Sequence, residues 1–243
     1  MENFQPISHT PPDTFFNKIK FYLRLFLDLQ VLTVYLGLKK FIKNKRGKML
    51  DIGCGESPYK HLLANFEYIG IDYAEADLFG YNNKEITKFD GINIPFLDNS
   101  IDNIICTEVL EHTQHPQELI HEMHRVLKTG GECYITIPWS ARYHYIPYDY
   151  YRYTPSMLAI FFKDFSKRQI LNRGTDITTI VSKIIVVFVR QLFPKTIGQI
   201  IFFPLFFLLL PVLFLLLPLA HLSLAFNIGS ANDPLGYIVR VIK

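Results

Sequence analysis

The sequence predicts an α/β fold with a mostly parallel, doubly wound sheet. Between residues 48 and 175, short apolar segments alternate with amphipathic segments of helical period, a pattern typical of strands joined by covering helices. A turn that contains two glycines follows the first apolar segment directly, at residues 51–55. The length of 243 residues suits one such domain with an appendage better than two full domains.

The predicted elements follow one another in a regular order. A polar lead-in occupies residues 1–14, and one long basic helix is predicted over residues 15–43. Strands are predicted at residues 48–52, 67–71, 86–90, 101–106, 131–137, 164–172 and 236–242. Helices are predicted at residues 58–65, at residues 116–128 with Gly130 as the terminator, and after Thr154-Pro155.

A long insertion separates the sixth predicted strand from the seventh. It covers residues 176–230, and the chain therefore divides into three parts. Residues 1–47 form the lead-in and the basic helix. Residues 48–175 and 231–243 together form the α/β core, and the insertion stands apart from both.

Composition limits the class of protein. The net charge is only +3, so the bulk charge does not indicate a nucleic-acid partner. The three cysteines contain no CxxC pair, which fits a reducing compartment better than a disulfide framework. The N-terminus has no basic segment followed by an apolar one, so we expect no secretory signal peptide.

The turn after the first strand is a candidate ligand site. Gly53 and Gly55 allow close approach of a ligand to the backbone, and Ser57 with Pro58 suits the start of a helix. A dinucleotide fingerprint would have a third glycine where this chain has Pro58, which has no amide hydrogen for a pyrophosphate. The turn thus favours a ligand without phosphates over NAD, and an ordinary strand-to-helix turn is the alternative.

Polar residues follow the next three strands at the same predicted edge of the sheet. Asp72 ends the second strand, where a carboxylate can accept both hydroxyls of a ribose; a solvated strand-end acid is the alternative. Asp90 ends the third strand and could accept an adenine amino hydrogen, although Asp-Gly is also a common turn. Residues 107–112 follow the fourth strand, at the switch region where open α/β sheets bind ligands.

Several segments, taken together and in this order, resemble a known family. They are residues 51–55, 69–72, 90–96, 98–102, 109–112 and 125–131. In sequence and spacing they are similar to the class I methyltransferases of the type 11 domain group. The resemblance implies a Rossmann-like seven-stranded sheet of order 3-2-1-4-5-7-6 with strand seven antiparallel, and S-adenosylmethionine as the methyl donor.

The resemblance also implies roles for individual residues. Gly53 and Gly55 would lie beside the amino-acid part of the cofactor, Asp72 on the ribose and Asp90 near the adenine. The full set of cofactor-binding residues that it implies is Asp51, Gly53, Cys54, Gly55, Asp72, Tyr73, Asp90, Gly91, Ile92 and Thr107. Ser57 departs from the family, in which a glycine is frequent. Residues 148–155, YDYYRYTP, are similar to a subgroup associated with bacterial surface-polysaccharide and lipid-linked sugar pathways.

Candidate bases follow strands four and five. Methyl transfer mainly requires positioning of donor and acceptor, but a hydroxyl acceptor also benefits from a base. His112 follows strand four and is the first candidate; a structural residue at the start of a helix is the alternative. His144 and Asp149 are secondary candidates in a tyrosine-rich segment at residues 139–153, which could instead be a packed loop over the cofactor.

No metal site is predicted from the histidine spacing. His112 and His115, and likewise His121 and His124, are three residues apart, but no pattern of cysteines or acids completes a zinc site around either pair. The expected cofactor is therefore S-adenosylmethionine alone.

The two ends of the chain are unusually apolar. Residues 196–232 contain no Lys, Arg, Asp or Glu, and their core is long enough to span a bilayer. Pro204, Pro211 and Pro218 interrupt this stretch, so a straight uniform helix is not expected. The basic helix at residues 15–43 favours an anionic membrane interface. A buried core helix or a surface for a protein partner are the alternatives.

These observations together predict a methyltransferase at the cytoplasmic face of a membrane. Its acceptor would be a lipid-linked or amphiphilic small molecule, such as a sugar or a quinone precursor, and its partners would be membrane lipids rather than nucleic acid. The alternatives are a membrane-tethered methyltransferase of a soluble small molecule and a non-catalytic cofactor-binding scaffold. Because strands six and seven must pair, we expect the insertion to be a re-entrant or interfacial hairpin, bent near Pro211, beside the basic helix.

Overall fold

The computed structural model describes residues 11–74, 81, 83, 86–192, 194 and 196–243. The first ten residues of the lead-in predicted at residues 1–14 lie outside the described residues. The strands are β1 (Gly47–Ile52), β2 (Phe66–Tyr73), β3 (Thr87–Phe89), β4 (Ile101–Thr107), β5 (Leu127–Pro138), β6 (Lys167–Arg173) and β7 (Gly236–Ile242). The helices are α1 (Phe15–Leu27), α2 (Leu29–Phe41), α3 (Pro116–Val126), α4 (Pro155–Phe161), α5 (Asp176–Gln191), α6 (Ile197–Leu208) and α7 (Leu210–Phe226).

The seven strands form one sheet in the order β3-β2-β1-β4-β5-β7-β6. β7 runs antiparallel to both β5 and β6, and the other neighbours are parallel. Asp51 of β1 is in register with Gly70 of β2 and with Ile105 of β4. The predicted strand order is confirmed, and the carboxyl ends of β1, β2 and β4 lie side by side.

The single long helix predicted at residues 15–43 is wrong. Two helices, α1 and α2, meet at an angle of 105°. Asp28 lies between them with an extended backbone, and its carboxylate accepts the N–H groups of Gln30 at 3.1 Å and Val31 at 3.3 Å. The break occurs here because an aspartate satisfies the free amides at a helix start better than it fits a helix interior.

The helix predicted at residues 58–65 is also wrong, since only a 3₁₀ turn forms there, at Lys60–Leu62. Ser57 does not cap a helix: its φ is +50°, and its hydroxyl oxygen lies 2.9 Å from the Tyr68 hydroxyl and 3.0 Å from the Asn83 amide nitrogen. The side chain that would start the helix is thus engaged in tertiary hydrogen bonds.

Gly130 does not end a helix either. α3 stops at Val126, and β5 begins at Leu127, which pairs with Ile101 of β4. Gly130 lies inside β5 with φ +78°, and its N–H donates to the Lys243 carbonyl at 3.0 Å. Residues 127–130, which the sequence assigns to the end of the helix, therefore belong to β5. By contrast, the predicted helix start at Thr154-Pro155 is confirmed, because the Thr154 hydroxyl accepts the N–H of Met157.

Both faces of the sheet are covered by apolar side chains. On one face, β4 and β5 pack against α3 and α4, with Met123 and Leu158 fully buried. On the other face, Leu38 and Phe41 of α2 are buried against β1 and β5. The two helices of the basic N-terminal segment therefore differ in burial. α2 is part of the core, whereas most apolar side chains of α1 are exposed.

The insertion forms three helices that return to their starting point. α6 and α7 meet at 63°, at Leu209, which places the bend beside Pro211 as predicted. A small apolar cluster joins the insertion to the core through Leu29, Val181 and Leu217. Among the described residues, no individual helix has the length and apolar character needed to cross a bilayer, whereas the bent pairs α1–α2 and α6–α7 do when each is taken together.

Candidate functional site

The turn after β1 requires glycine at its first position. Gly53 has φ +68°, and a Cβ atom there would lie 2.3 Å from the Val109 side chain, which follows β4. The N–H groups of Gly53 and Cys54 both donate to the Ile71 carbonyl of β2, at 2.9 and 3.2 Å. The turn is thus held tightly against the end of β2.

Asp72 lies against this turn, as predicted. Its carboxylate is buried and accepts the N–H of Gly55 at 2.6 Å and of Tyr73 at 2.7 Å. Burial raises the pKa of Asp72, and the two backbone hydrogen bonds oppose that effect. The carboxylate is thereby fixed at the end of β2, where its remaining lone pairs can accept ligand hydroxyls.

A second buried acid lies beneath the turn. Asp51 accepts the Tyr68 hydroxyl at 2.9 Å, and burial raises the pKa of Asp51 to about 7. The neighbouring Cys54 is buried, and burial raises the pKa of its thiol well above the usual range, so Cys54 is no reactive nucleophile. The turn therefore presents two acids in a poorly solvated environment, which suits a positively charged ligand.

The loop after β3 is organised by Asp90. This exposed carboxylate accepts the N–H of Ile92 at 2.8 Å, the N–H of Asn93 at 2.7 Å and the side-chain amide of Asn93 at 2.6 Å. These hydrogen bonds lower the pKa of Asp90. Gly91 has φ +89°, and a Cβ there would lie 3.2 Å from the Tyr73 ring. Asp90 thus shapes the loop, and its predicted contact with an adenine stays a prediction.

The end of β4 lies next to the glycine turn, on the side away from β2 and β3. Thr107 is its last residue and pairs with Thr136 of β5. The next residue, Glu108, has φ +56° and donates its N–H to the Thr136 carbonyl. The Glu108 carboxylate pairs at 3.0 Å with Arg173, whose side chain is fully buried at the end of β6. This ion pair ties the switch region to the start of the insertion.

His112 and His144 meet beyond β4 and β5, with ring centroids 4.7 Å apart. The Nδ1 atom of His112 lies 2.7 Å from the Tyr148 carbonyl, which can only accept, so Nδ1 carries the hydrogen. Burial, together with the neighbouring His144, lowers the pKa of His112 to about 4. His112 is therefore neutral at physiological pH, with an unprotonated Nε2.

His144 forms a dyad with Asp149. Its Nδ1 lies 2.9 Å from the Asp149 carboxylate, which also accepts the backbone N–H of His144 at 3.0 Å. Arg152 holds the same carboxylate at 2.6 and 2.8 Å. Burial alone would raise the pKa of Asp149, but the bonds from Arg152 and His144 outweigh it and lower that pKa. All three predicted catalytic residues thus lie in one cluster.

Glu111 is a member of this cluster that the sequence analysis missed. Its side chain is 0% exposed, and its Oε1 lies 3.7 Å from Nε2 of His112. Burial raises the pKa of Glu111 well above its usual range. In the sequence, only the position of Glu111 next to His112 indicates that it belongs to the site.

Two tyrosines connect the cluster to the glycine turn: Tyr145, which belongs to the tyrosine-rich segment at residues 139–153, and Tyr81, which was not predicted. The hydroxyls of Tyr81 and Tyr145 are 2.9 Å apart. The Tyr81 ring lies 3.4 Å from where a Gly55 Cβ would be, and the Tyr145 ring lies 5.4 Å from each histidine ring. Nothing in the sequence signals Tyr81, because it belongs to no motif and reaches the site only through the fold.

The fold and the site agree with the resemblance found in the sequence. The strand order is the one that a class I S-adenosylmethionine-dependent methyltransferase would have, and the glycine turn, its two acids and the polar cluster beyond β4 lie at the carboxyl edge of the sheet. The residues also fit this cofactor: Asp72 can accept ribose hydroxyls, and the two acids can balance a cationic ligand.

Comparisons with known proteins agree with this class. Residues 50–135 match the family model described as a methyltransferase domain. An uncharacterized protein of Methanocaldococcus jannaschii is 32% identical over 127 residues, which are 52% of this chain and 56% of that protein. The probable tRNA methyltransferase 9B of Bos taurus is 30% identical over 119 residues, 46% of this chain and 26% of that protein.

Solved structures of other proteins share this fold. A SAM-dependent methyltransferase from Archaeoglobus fulgidus is 18% identical, with a TM-score of 0.55 over 93% of this chain and 99% of that one. The chain matches about half, or less, of the length of the two sequence relatives named above. Residues 50–135 of this chain are thus similar to a methyltransferase domain, and the chain shares its fold with a solved SAM-dependent methyltransferase.

Proposed function

We propose that this protein transfers a methyl group from S-adenosylmethionine to a lipid-linked or amphiphilic small molecule at the cytoplasmic face of a membrane. The observation that carries the membrane part is the exposed apolar surface of the insertion. Every residue of α6 is at least partly exposed, although Phe, Leu, Ile and Pro make up most of α6 and α7. A contiguous apolar surface of this kind is typical of membrane or protein contact.

The exposed surface of α1 also supports contact with a membrane. Its exposed side includes Phe15, Phe16 and Ile19, interspersed with the exposed cations Lys18 and Lys20. Apolar side chains flanked by lysines favour the interface of an anionic membrane. α1 also contacts the insertion, because the Phe26 ring stacks on His221 of α7 and the His221 side chain binds the Phe26 carbonyl at 2.9 Å. The two apolar elements therefore belong to one surface.

The insertion is a hairpin with joined ends. The N–H of Asp176 donates to the Ser230 carbonyl at 3.0 Å, and its carboxylate accepts the N–H of Ser230 at 2.8 Å. Thr175 bonds Ser223 and the Ile228 carbonyl at 2.8 and 3.0 Å. Because the two ends are hydrogen-bonded to each other, they would lie on one side of a bilayer, with α6 and α7 dipping in and returning.

The acceptor side of the site supports transfer to a hydroxyl. S-adenosylmethionine supplies an electrophilic methyl group on a sulfonium sulfur. Asp149 fixes the hydrogen of His144 on Nδ1, so Nε2 is free to accept the proton that an acceptor hydroxyl loses. The tyrosine-rich segment borders an open cleft of about 290 Å³ lined by Tyr143, Tyr150 and Tyr151, whose rings can contact a sugar or quinone ring.

The experiment is transfer of labelled methyl groups into a membrane extract. Purified protein and methyl-labelled S-adenosylmethionine are incubated with the extract, and the label is followed into organic and aqueous phases. Label in a lipid-extractable product supports the proposal. Label in a water-soluble small molecule favours a tethered enzyme, label in RNA would indicate a different acceptor class, and no transfer despite cofactor binding would favour a non-catalytic scaffold.

A further inference from the structure

We propose that Glu111, His112 and His144 form a binding site for a divalent transition-metal cation. One ligand atom from each of these side chains lies within 4.8 Å of the other two. Glu111 and His112 belong to the 3₁₀ turn that follows β4, and His144 belongs to the loop that follows β5. The site therefore lies at the carboxyl edge of the sheet, where ligands of open α/β folds bind.

The strongest indication of a bound cation is the environment of the Glu111 carboxylate. It is 0% exposed, and within the part of the chain that the structure describes neither carboxylate oxygen has a hydrogen-bond partner. The nearest basic charge in the cluster, Arg152, is bound by both oxygens of Asp149. A buried carboxylate normally pairs with a cation or coordinates a metal, and Glu111 has neither among these residues.

The two imidazoles are oriented as metal ligands usually are. Metal-binding histidines donate their second ring N–H to a carbonyl or carboxylate, which fixes the ring and leaves the other nitrogen for the metal. His112 donates Nδ1–H to the Tyr148 carbonyl at 2.7 Å. The Nδ1 of His144 lies 2.9 Å from the Asp149 carboxylate and 3.0 Å from the Arg142 carbonyl. Both Nε2 atoms are thus available.

The ligand set indicates the class of cation. Two imidazoles and one carboxylate suit zinc, manganese or ferrous iron better than calcium or magnesium, which prefer oxygen ligands. Ligand atoms about 2.0–2.2 Å from a common ion lie roughly 3–4 Å apart, so the three side chains need to close by about 1 Å. Three protein ligands leave a coordination position open, as in catalytic sites.

The open position gives the site its role, and this part of the inference rests on the proposed function. An acceptor oxygen bound there would be oriented toward the cofactor, and its proton would leave more readily. A cation on Nε2 of His144 excludes direct proton uptake by that nitrogen. Metal binding and a histidine base are therefore distinguishable alternatives for the same cluster.

The test is cation binding to the purified full chain after dialysis against a chelator. Calorimetric titration with Zn²⁺ and with Mn²⁺ should show one site per chain. Glu111→Gln and His144→Ala should each weaken binding at least about tenfold, whereas His115→Ala, an exposed histidine paired with Glu118, should bind as the wild type does. S-adenosylmethionine affinity and the melting temperature of each variant show whether it is folded.

Three results would overturn the site: no one-to-one binding, binding unaffected in both ligand variants, or equal loss in His115→Ala. If Glu111→Gln does not fold, the cation affinity of His144→Ala alone tests the site. Methyl transfer by the dialysed protein separates the two proposals. Full transfer without bound cation contradicts the catalytic role of the cation and leaves the methyltransferase intact. Stoichiometric binding without transfer to any acceptor supports the site and contradicts the proposed reaction.

Discussion

The Asp72 carboxylate accepts the backbone N–H of Gly55 at 2.6 Å, so the acid at the end of β2 and the glycine turn after β1 form one unit. This contact joins the two strongest sequence signals of the cofactor site. It also means that Asp72 has two tasks, because it supports the turn and offers oxygens to a ligand.

We expect Asp72→Ala to weaken binding of S-adenosylmethionine by about 1–3 kcal/mol, since hydrogen bonds to a partly buried ribose are lost. Isothermal titration calorimetry on purified protein measures this difference. Glu67→Ala is the matched control, because Glu67 is an exposed acid of the same strand. Equal affinity in wild type and Asp72→Ala, or tighter binding of NAD than of S-adenosylmethionine, would be incompatible with the assignment.

Cofactor affinity should depend on pH through Asp51. Burial raises the pKa of Asp51 from 3.8 to about 7, so the folded protein holds this proton more tightly than the unfolded chain. The resulting contribution to stability is complete below pH 4 and is lost as the pH rises through 7. A cationic cofactor favours ionised Asp51, and its affinity should therefore fall below pH 7, by up to about tenfold per pH unit.

Titrations of wild type and Asp51→Asn with S-adenosylmethionine between about pH 5.5 and 8.5, a range that spans the ionisation, measure this effect. Asp51→Asn should show weaker binding at high pH and a shallower pH profile. Asp72 is retained in both proteins, and its charge contributes to the raised pKa of Asp51 in the wild type. Identical slopes in the two proteins would show that Asp51 does not titrate with cofactor binding.

Loss of either histidine should reduce turnover more than cofactor affinity. A base or metal ligand that acts on the acceptor contributes about 10²–10⁴-fold, so His112→Ala and His144→Ala should lose activity in that range. The measurement is the rate of S-adenosylhomocysteine formation with saturating cofactor. His121→Ala, on the exposed side of α3, is the control. Near-normal rates in both variants would exclude these residues and leave positioning alone as the source of catalysis.

The two ends of the insertion should be reached from the same face of a sealed vesicle. The hydrogen bonds between Asp176 and Ser230 require this. Single cysteines at the exposed positions Asn172 and Asn232 should react with an impermeant reagent added to one face only. The native cysteines are buried and serve as an internal background. Labelling of the two positions from opposite faces would refute the hairpin and the placement of β7.

The sequence predicted the sheet well because its signals are local. Gly53 and Asp72 each end an apolar strand, and the carboxyl ends of neighbouring parallel strands meet at one edge. Residues whose role arises from tertiary contacts escaped prediction. Tyr81 reaches the glycine turn from a segment without any motif, and Ser57 is diverted from capping by Tyr68.

Helix limits were the least predictable feature. The helix predicted at residues 15–43 runs through Asp28 without a break, yet the Asp28 carboxylate caps α2, and α1 and α2 meet at 105°. The sequence predicts a helix that includes Leu127 and ends at Gly130, but Leu127 pairs with β4 and Gly130 binds Lys243, so both lie in the sheet. In both cases a local preference is overridden by bonds to residues elsewhere in the fold.

The central claim is that the apolar surface of the insertion brings the active site to a lipid acceptor. Leu208 and Leu215 are 73% and 75% exposed, so changing both to Gln should alter membrane contact with little effect on folding. Leu97→Gln, at a leucine 82% exposed on a loop of the catalytic core, is the control. The measurement is labelled methyl transfer into vesicles made from a total membrane lipid extract. We expect wild type and Leu97→Gln to label a lipid product, and the Leu208→Gln/Leu215→Gln variant to bind S-adenosylmethionine normally but to transfer at least about tenfold more slowly. Equal transfer by all three proteins, or no lipid product with the wild type, would contradict the account.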